Sequence, residues 1–135
     1  MRRDITRREF LGGMAGAGVL VLGNAASART FAANEAAGIA LVGVAGRGLW
    51  FTDLLPRTKG MDLVALCDVD EYKAKGVFQK FAKLPKFSDF RLMLDKAGKD
   101  IDGVIVATPD NTHAVASAAA IRHGKAIYTE KPLTH

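Results

Sequence analysis

Cysteine, long apolar runs and an excess of one charge are all scarce in this sequence. Cys67 is the one cysteine in 135 residues, which excludes an internal disulfide framework and a zinc cluster built on cysteines. Paired with His113 or His123, it makes no credible metal-ligand set either. No stretch reaches the ~20 strongly apolar residues that a spanning helix requires, so no stable membrane anchor is expected. The 19 Lys and Arg against 14 Asp and Glu leave a net charge of +5, with part of the excess in Arg2, Arg3, Arg7 and Arg8. No basic run is interleaved with aromatics, which removes nucleic acid from the expected partners. What is present is 49% hydrophobic and 24% charged. That is the composition of one globular domain, and of neither a disordered nor a coiled-coil chain.

Residues 1–28 read as an export signal in three parts. A basic stretch ends in Thr6-Arg7-Arg8-Glu9-Phe10-Leu11, the pattern of a twin-arginine signal. A weakly apolar, Gly/Ala-rich stretch runs from Gly12 to Leu22, and Ala26-Ser27-Ala28 supplies small residues for cleavage. Such an address is read by the twin-arginine export machinery, which moves folded proteins, and it predicts a periplasmic or secreted location. Residues 29–37 form a polar, Ala-rich linker, and the folded domain is expected over 38–135.

From Gly38 onward, short apolar runs alternate with helical patterns, the arrangement of a parallel sheet with crossover helices. The runs are Ile39–Val42, Leu63–Cys67, Val104–Ala107 and Ala126–Tyr128, with a weak strand near Lys86-Phe87-Ser88. None alternates polar with apolar, so each strand is expected to be covered on both faces. Phe90, Met93, Leu94 and Ala97 form one apolar helical stripe, with Ser88 or Asp89 able to cap its start. An Ala-rich helix spans Thr112–Arg122, and Gly124 is placed to end it in a left-handed turn. Asp70 caps another helix running toward Ala82, whose Lys73, Lys80 and Lys83 should face water. The fold class is α/β: a Rossmann-type doubly wound parallel sheet.

Gly43-Val44-Ala45-Gly46-Arg47-Gly48 follows the first strand, where a dinucleotide fold places its phosphate-binding turn. Gly43 allows a tight turn, Gly48 lets the helix approach the sheet, and free amides between them can face a pyrophosphate. Ala45 stands where the usual pattern has its second glycine. A purely structural turn would use the same glycines. Asp68, 20 residues beyond Gly48, ends the second strand and can accept hydrogen bonds from the adenosine ribose. Its charge would repel a ribose 2′-phosphate, so NAD is favoured over NADP. Arg47 lies beside the cofactor phosphates or stands in solvent as a surface charge. Cys67, inside an apolar strand, reads as an inert core residue.

Two later segments are distinctive: Asp102–His113, which contains Ala107-Thr108-Pro109-Asp110-Asn111-Thr112-His113, and Glu130-Lys131-Pro132-Leu133-Thr134-His135. Through them, residues 38–135 resemble the Gfo/Idh/MocA family of NAD(P)-dependent oxidoreductases. The resemblance implies that Thr108, Pro109, Asn111 and His113 border the nicotinamide side of the cofactor. It places Glu130 and Lys131 near the nicotinamide ribose and a sugar or polyol substrate, with Lys131 in the catalytic role. A lysine ammonium can hydrogen-bond the substrate oxygen and stabilise negative charge developing there. Pro132 biases Lys131 toward an extended backbone, which helps aim its side chain. For His113 two places stay open, the cofactor pocket or a packed first helical turn. His123, in the last turn of that helix, is expected to interact with the helix C-terminus.

The resemblance also implies parts that are not in these residues. Family members carry a second α/β domain with most of the substrate pocket and an oligomer-forming sheet, and a further helix and strand complete the nucleotide fold. The chain is therefore expected to be the front of a longer, homo-oligomeric enzyme, inactive alone. Three readings follow: the NAD-binding part of an exported oxidoreductase, of an NAD-dependent glycoside hydrolase, or a non-catalytic NAD-binding fragment.

Overall fold

A computed structural model describes residues 36–133; the expected export signal and most of the linker lie outside them. Strand β1 covers Ala37–Val42, so the last residue of the predicted linker joins the sheet. There follow α1 (Gly48–Leu54) with a 3-10 turn at Leu55–Arg57, β2 (Met61–Cys67), α2 (Glu71–Lys80), β3 (Lys86–Phe87) and α3 (Phe90–Ala97). Strand β4 (Gly103–Val106), a 3-10 turn at Asp110–Thr112, α4 (His113–Arg122) and β5 (Ala126–Thr129) complete the order. The sheet has five strands in the order β3-β2-β1-β4-β5, and every pairing is parallel. Parallel neighbours need crossover connections, and the helices supply them. The order reverses beside β1, so the loops after β1 and β4 part and leave a crevice at the C-terminal ends of the strands.

Local chemistry accounts for the boundaries. The Asp70 side chain accepts from the Lys73 amide at 3.0 Å, capping α2. Asp89 caps α3 by accepting from the Arg91 amide at 2.8 Å, which leaves Ser88 without that role. Such caps answer amides that the first turn leaves unbonded. Gly124, with φ of +69°, ends α4 as expected. The Lys86 ammonium donates to the carbonyls of Phe81, Ala82 and Leu84, closing the chain beyond α2. The His123 ring reaches across to Asp95 at 3.8 Å.

Successive residues of each strand feed opposite faces. Ala40, Val42, Ala65, Cys67, Val104 and Val106 pack on Met93 and Leu94 of α3 and on Ala116 and Ala120 of α4. Ile39, Leu41 and Leu66 pack on Phe51, Leu55, Ala74 and Val77 from α1, the turn after it, and α2. Burying a side chain such as Leu41 contributes about 1.5–3 kcal/mol.

The expectation of coverage on both faces fails at β5. Ala126 and Tyr128 are exposed, because α1 and α2 cover the β1–β3 side of one face while α4 covers β4 and β5 on the other. An apolar groove of about 410 Å³ remains there, walled by Phe51, Ile105 and Tyr128. No helix among the described residues is long and apolar enough to cross a membrane.

Candidate functional site

The crevice is built around the turn that leaves β1. Gly43 has φ of +84°, and a methyl group on it would stand 2.7 Å from the Ala107 carbonyl oxygen. Only glycine lets the turn pass this close to the end of β4. A methyl on Gly48 would land on the Gly43 carbonyl oxygen, so α1 can begin against the turn only without a side chain. Beyond the turn, Gly48 N donates to Ala45 O at 3.0 Å and Leu49 N to Gly46 O at 3.2 Å. The amides of Gly46 and Arg47 meet no acceptor among the described residues.

Asp68 is more than the ribose acceptor expected from its spacing. Its Oδ2 accepts from the Val44 amide at 2.9 Å and the Ala45 amide at 3.3 Å. Its Oδ1 accepts from the Asp70 amide at 2.9 Å. A carboxylate offers about four acceptor positions, so roughly one stays open toward the cleft. Asp68 therefore holds the phosphate turn in shape and fixes its own orientation. No periodicity or spacing in the sequence signals that second task.

The cleft has a volume of about 650 Å³ and is lined by Gly43, Ala45, Gly46, Arg47, Asp68, Thr108, Pro109 and Asn111 among others. That is the size range of small-molecule and cofactor sites. Gly48, His113, Glu130 and Lys131 lie outside its lining. Gly48 works by close packing. Of the two places open to His113, the structure takes the packed one. The ring is 2% exposed, with Nδ1 2.7 Å from the Pro132 carbonyl oxygen and Nε2 2.8 Å from that of Thr108. Its ring is thereby spent on backbone and is not free to meet a cofactor.

The Glu130 and Lys131 segment continues from β5 at the same end of the sheet, since Glu130 N donates to Val106 O at 3.0 Å. Arg47 Nε donates to Glu130 Oε1 at 3.1 Å, and its guanidinium lies 4.8 Å from the centre of the Trp50 ring. Arg47 is thus partnered at the cleft rim while more than half of its side chain, 55%, stays in solvent. The pair joins residues far apart in sequence, and only the fold could reveal it.

Charge on the adenosine side is arranged around acids. Lys73 lines the cleft, and its ammonium pairs with Asp70 Oδ2 at 3.0 Å. That hydrogen bond holds Lys73 above its usual pKa, while the Lys73 amide and then its side chain hold Asp70 below the usual carboxylate range. Burial, reinforced by Asp68 and Asp89, pushes the Cys67 thiol up to about 12, as befits an inert core residue.

These features fit a dinucleotide. Two unbonded amides at a glycine turn suit a pyrophosphate, and an oriented carboxylate at the end of β2 suits ribose hydroxyls. Ala45 lines the cleft with its methyl where the usual turn has glycine.

Comparison with known proteins gives the same answer. Inositol 2-dehydrogenase of Salmonella typhimurium is 30% identical over 96 residues, covering 67% of this chain and 28% of that protein. A glycosyl hydrolase family 109 protein of Stenotrophomonas maltophilia is 30% identical over 135 residues, covering 92% of this chain and 29% of its own length. Scyllo-inositol dehydrogenase of Lactobacillus casei, solved with NAD(H) and scyllo-inositol, shares the fold with a TM-score of 0.68 at 24% identity, over 74% of this chain and 29% of that one. The chain thus spans less than a third of the length of these relatives. Residues 37–135 match the model of the Gfo/Idh/MocA oxidoreductase family, NAD-binding Rossmann fold, and with the parallel sheet, glycine turn and Asp68 in place, the chain belongs to that family and carries its NAD-binding domain.

Proposed function

We propose that this chain is the nucleotide-binding part of an exported oxidoreductase that moves a hydride between a sugar or polyol hydroxyl and NAD. The observation that carries this reading is the meeting of the glycine turn and the Glu130-Lys131 segment at one end of the sheet, joined by the Arg47–Glu130 ion pair. Bound nicotinamide supplies the site that accepts or returns the hydride. The chain's own residues bind, orient and stabilise. The Gly46 and Arg47 amides offset pyrophosphate charge, and Asp68 accepts from a ribose hydroxyl with its remaining lone pair. Lys131 donates a hydrogen bond to the substrate oxygen and stabilises negative charge developing there.

NAD is favoured over NADP on two counts. Asp68 repels a 2′-phosphate, and Lys73, the nearby cation that could answer one, is already held by Asp70. Residues 1–28 serve as the twin-arginine export signal in this reading, and the site of action is periplasmic or extracellular.

A second reading, an NAD-dependent glycoside hydrolase, is favoured by one observation. Similarity to the glycosyl hydrolase family 109 protein runs over 92% of the chain, whereas that to inositol 2-dehydrogenase runs over 67%. Both readings begin by oxidising a sugar hydroxyl. The test is to mix the complete gene product with NAD and either free polyols and sugars or aryl glycosides. Accumulating NADH absorbance with a polyol supports the oxidoreductase. Aryl release without net NADH supports the hydrolase, and neither, with NAD bound, leaves a non-catalytic binding module.

A further inference from the structure

The chain from Thr129 to Pro132 is held at nearly every residue. Thr129 Oγ1 shares a hydrogen bond with Ser117 Oγ of α4 at 2.7 Å. Glu130 is fixed twice, by its amide on Val106 O and by its carboxylate on Arg47. The Pro132 carbonyl is held by the His113 ring. Lys131 stands between these tethers, exposed, and its ammonium meets no partner among the described residues. A backbone anchored on both flanks with an uncommitted cation between is how a protein presents a reacting group at low ordering cost.

We infer that His113 is a positioning residue for Lys131: its buried ring fastens the loop after β5 to the loop after β4 and so fixes where the lysine stands. The ring bridges the Thr108 and Pro132 carbonyls, one in the cleft wall and one beside Lys131. A neutral imidazole has one N–H and can donate to one of them, while a ring protonated on both nitrogens donates to both. An apolar side chain would fill the space and tie neither loop. Glutamine carries its donors on one nitrogen at the end of a flexible chain, so it can reach one carbonyl but lacks the rigid ring that holds the two loops at a fixed spacing.

The inference rests on the reading of Lys131 as the group at the substrate oxygen, and its test is kept separate from that reading. Backbone ¹⁵N relaxation on the whole chain gives order parameters for Glu130, Lys131 and Leu133, and amide exchange of Glu130 is measured against that of Leu41 in the core. In the parent chain, order near the rigid value of about 0.85 is expected at Lys131. In His113→Gln it should fall toward about 0.6, with Glu130 exchange speeding about tenfold while Leu41 is unchanged. His113→Ala should go further in the same direction, and the glutamine variant should recover part of the loss. Unaltered order at Lys131 in both variants would overturn the inference. So would loss of protection spread equally over Leu41 and Glu130, which marks a merely structural histidine. Failure of NAD to bind the parent chain would sink the functional reading and leave the tether standing.

Discussion

Replacing Asp68 with asparagine separates two tasks that one carboxylate performs. The substitution keeps the shape and removes the charge. Three amide bonds to Val44, Ala45 and Asp70 then lose their charge assistance, or face the new amide nitrogen. That loosens the phosphate turn and lowers the affinity for NAD and NADP by a common factor. The ribose contact adds a loss for NAD alone, since a hydrogen bond to a charged group contributes about 1.5–3 kcal/mol. At 1.4 kcal/mol per decade that is about 10- to 100-fold. For NADP the change removes a repulsion of about 3 kcal/mol for unit charges near 5 Å at an effective dielectric of about 20. The preference for NAD should therefore fall by at least about tenfold, whatever the shared loss. Calorimetric titration of both dinucleotides into parent and variant gives the ratio directly. An unchanged ratio would refute the ribose role and leave Asp68 as a brace of the turn only.

Other expectations follow from the same geometry. Gly48→Ala drives a methyl into the Gly43 carbonyl, so the melting temperature should drop by about 10 °C or more; calorimetry showing no drop would contradict the close approach. Cys67, with its thiol at about 12, should be alkylated at pH 8 about 1,000-fold more slowly folded than unfolded, and comparable rates would place it at the surface. The carboxylates of Asp70 and Asp89 are held below their usual range by Lys73 and Arg91. Their capping is therefore complete above the ordinary carboxylate pKa and lost as pH falls through the lowered values. Circular dichroism should show acid loss of helix in that window, absent from the Asp70→Ala, Asp89→Ala double variant. Lys131→Ala should lower turnover of the complete enzyme about 100-fold with NAD affinity unchanged, and equal turnover would remove the lysine from the chemistry.

The sheet was legible because four of its strands contain a short apolar run, and α2, α3 and α4 each have a capping aspartate or a terminating glycine with a local mechanism. Asp70, Asp89 and Gly124 act on their own neighbours, so sequence suffices for them. The bracing of the turn by Asp68, the Arg47–Glu130 pair and the two carbonyls on His113 are contacts between segments that only folding brings together. Apolar composition alone likewise implied that β5 was covered on both faces. Coverage depends on which helices exist to supply it, and Tyr128, with the Phe51 ring of α1 at 5.5 Å, stays 52% exposed. Lys131 and Glu130 drew their roles from resemblance, because a Lys-Pro pair in a loop carries no chemistry by pattern.

The central claim is that a dinucleotide sits against the turn between β1 and α1. Titrating NAD into ¹⁵N-labelled protein and following the amide resonances tests it residue by residue. Saturable shifts concentrated at Gly43 through Arg47, at Asp68 and at Thr108 are the predicted result. A spectrum that stays still there, or moves only at the apolar groove beside Tyr128, would contradict it.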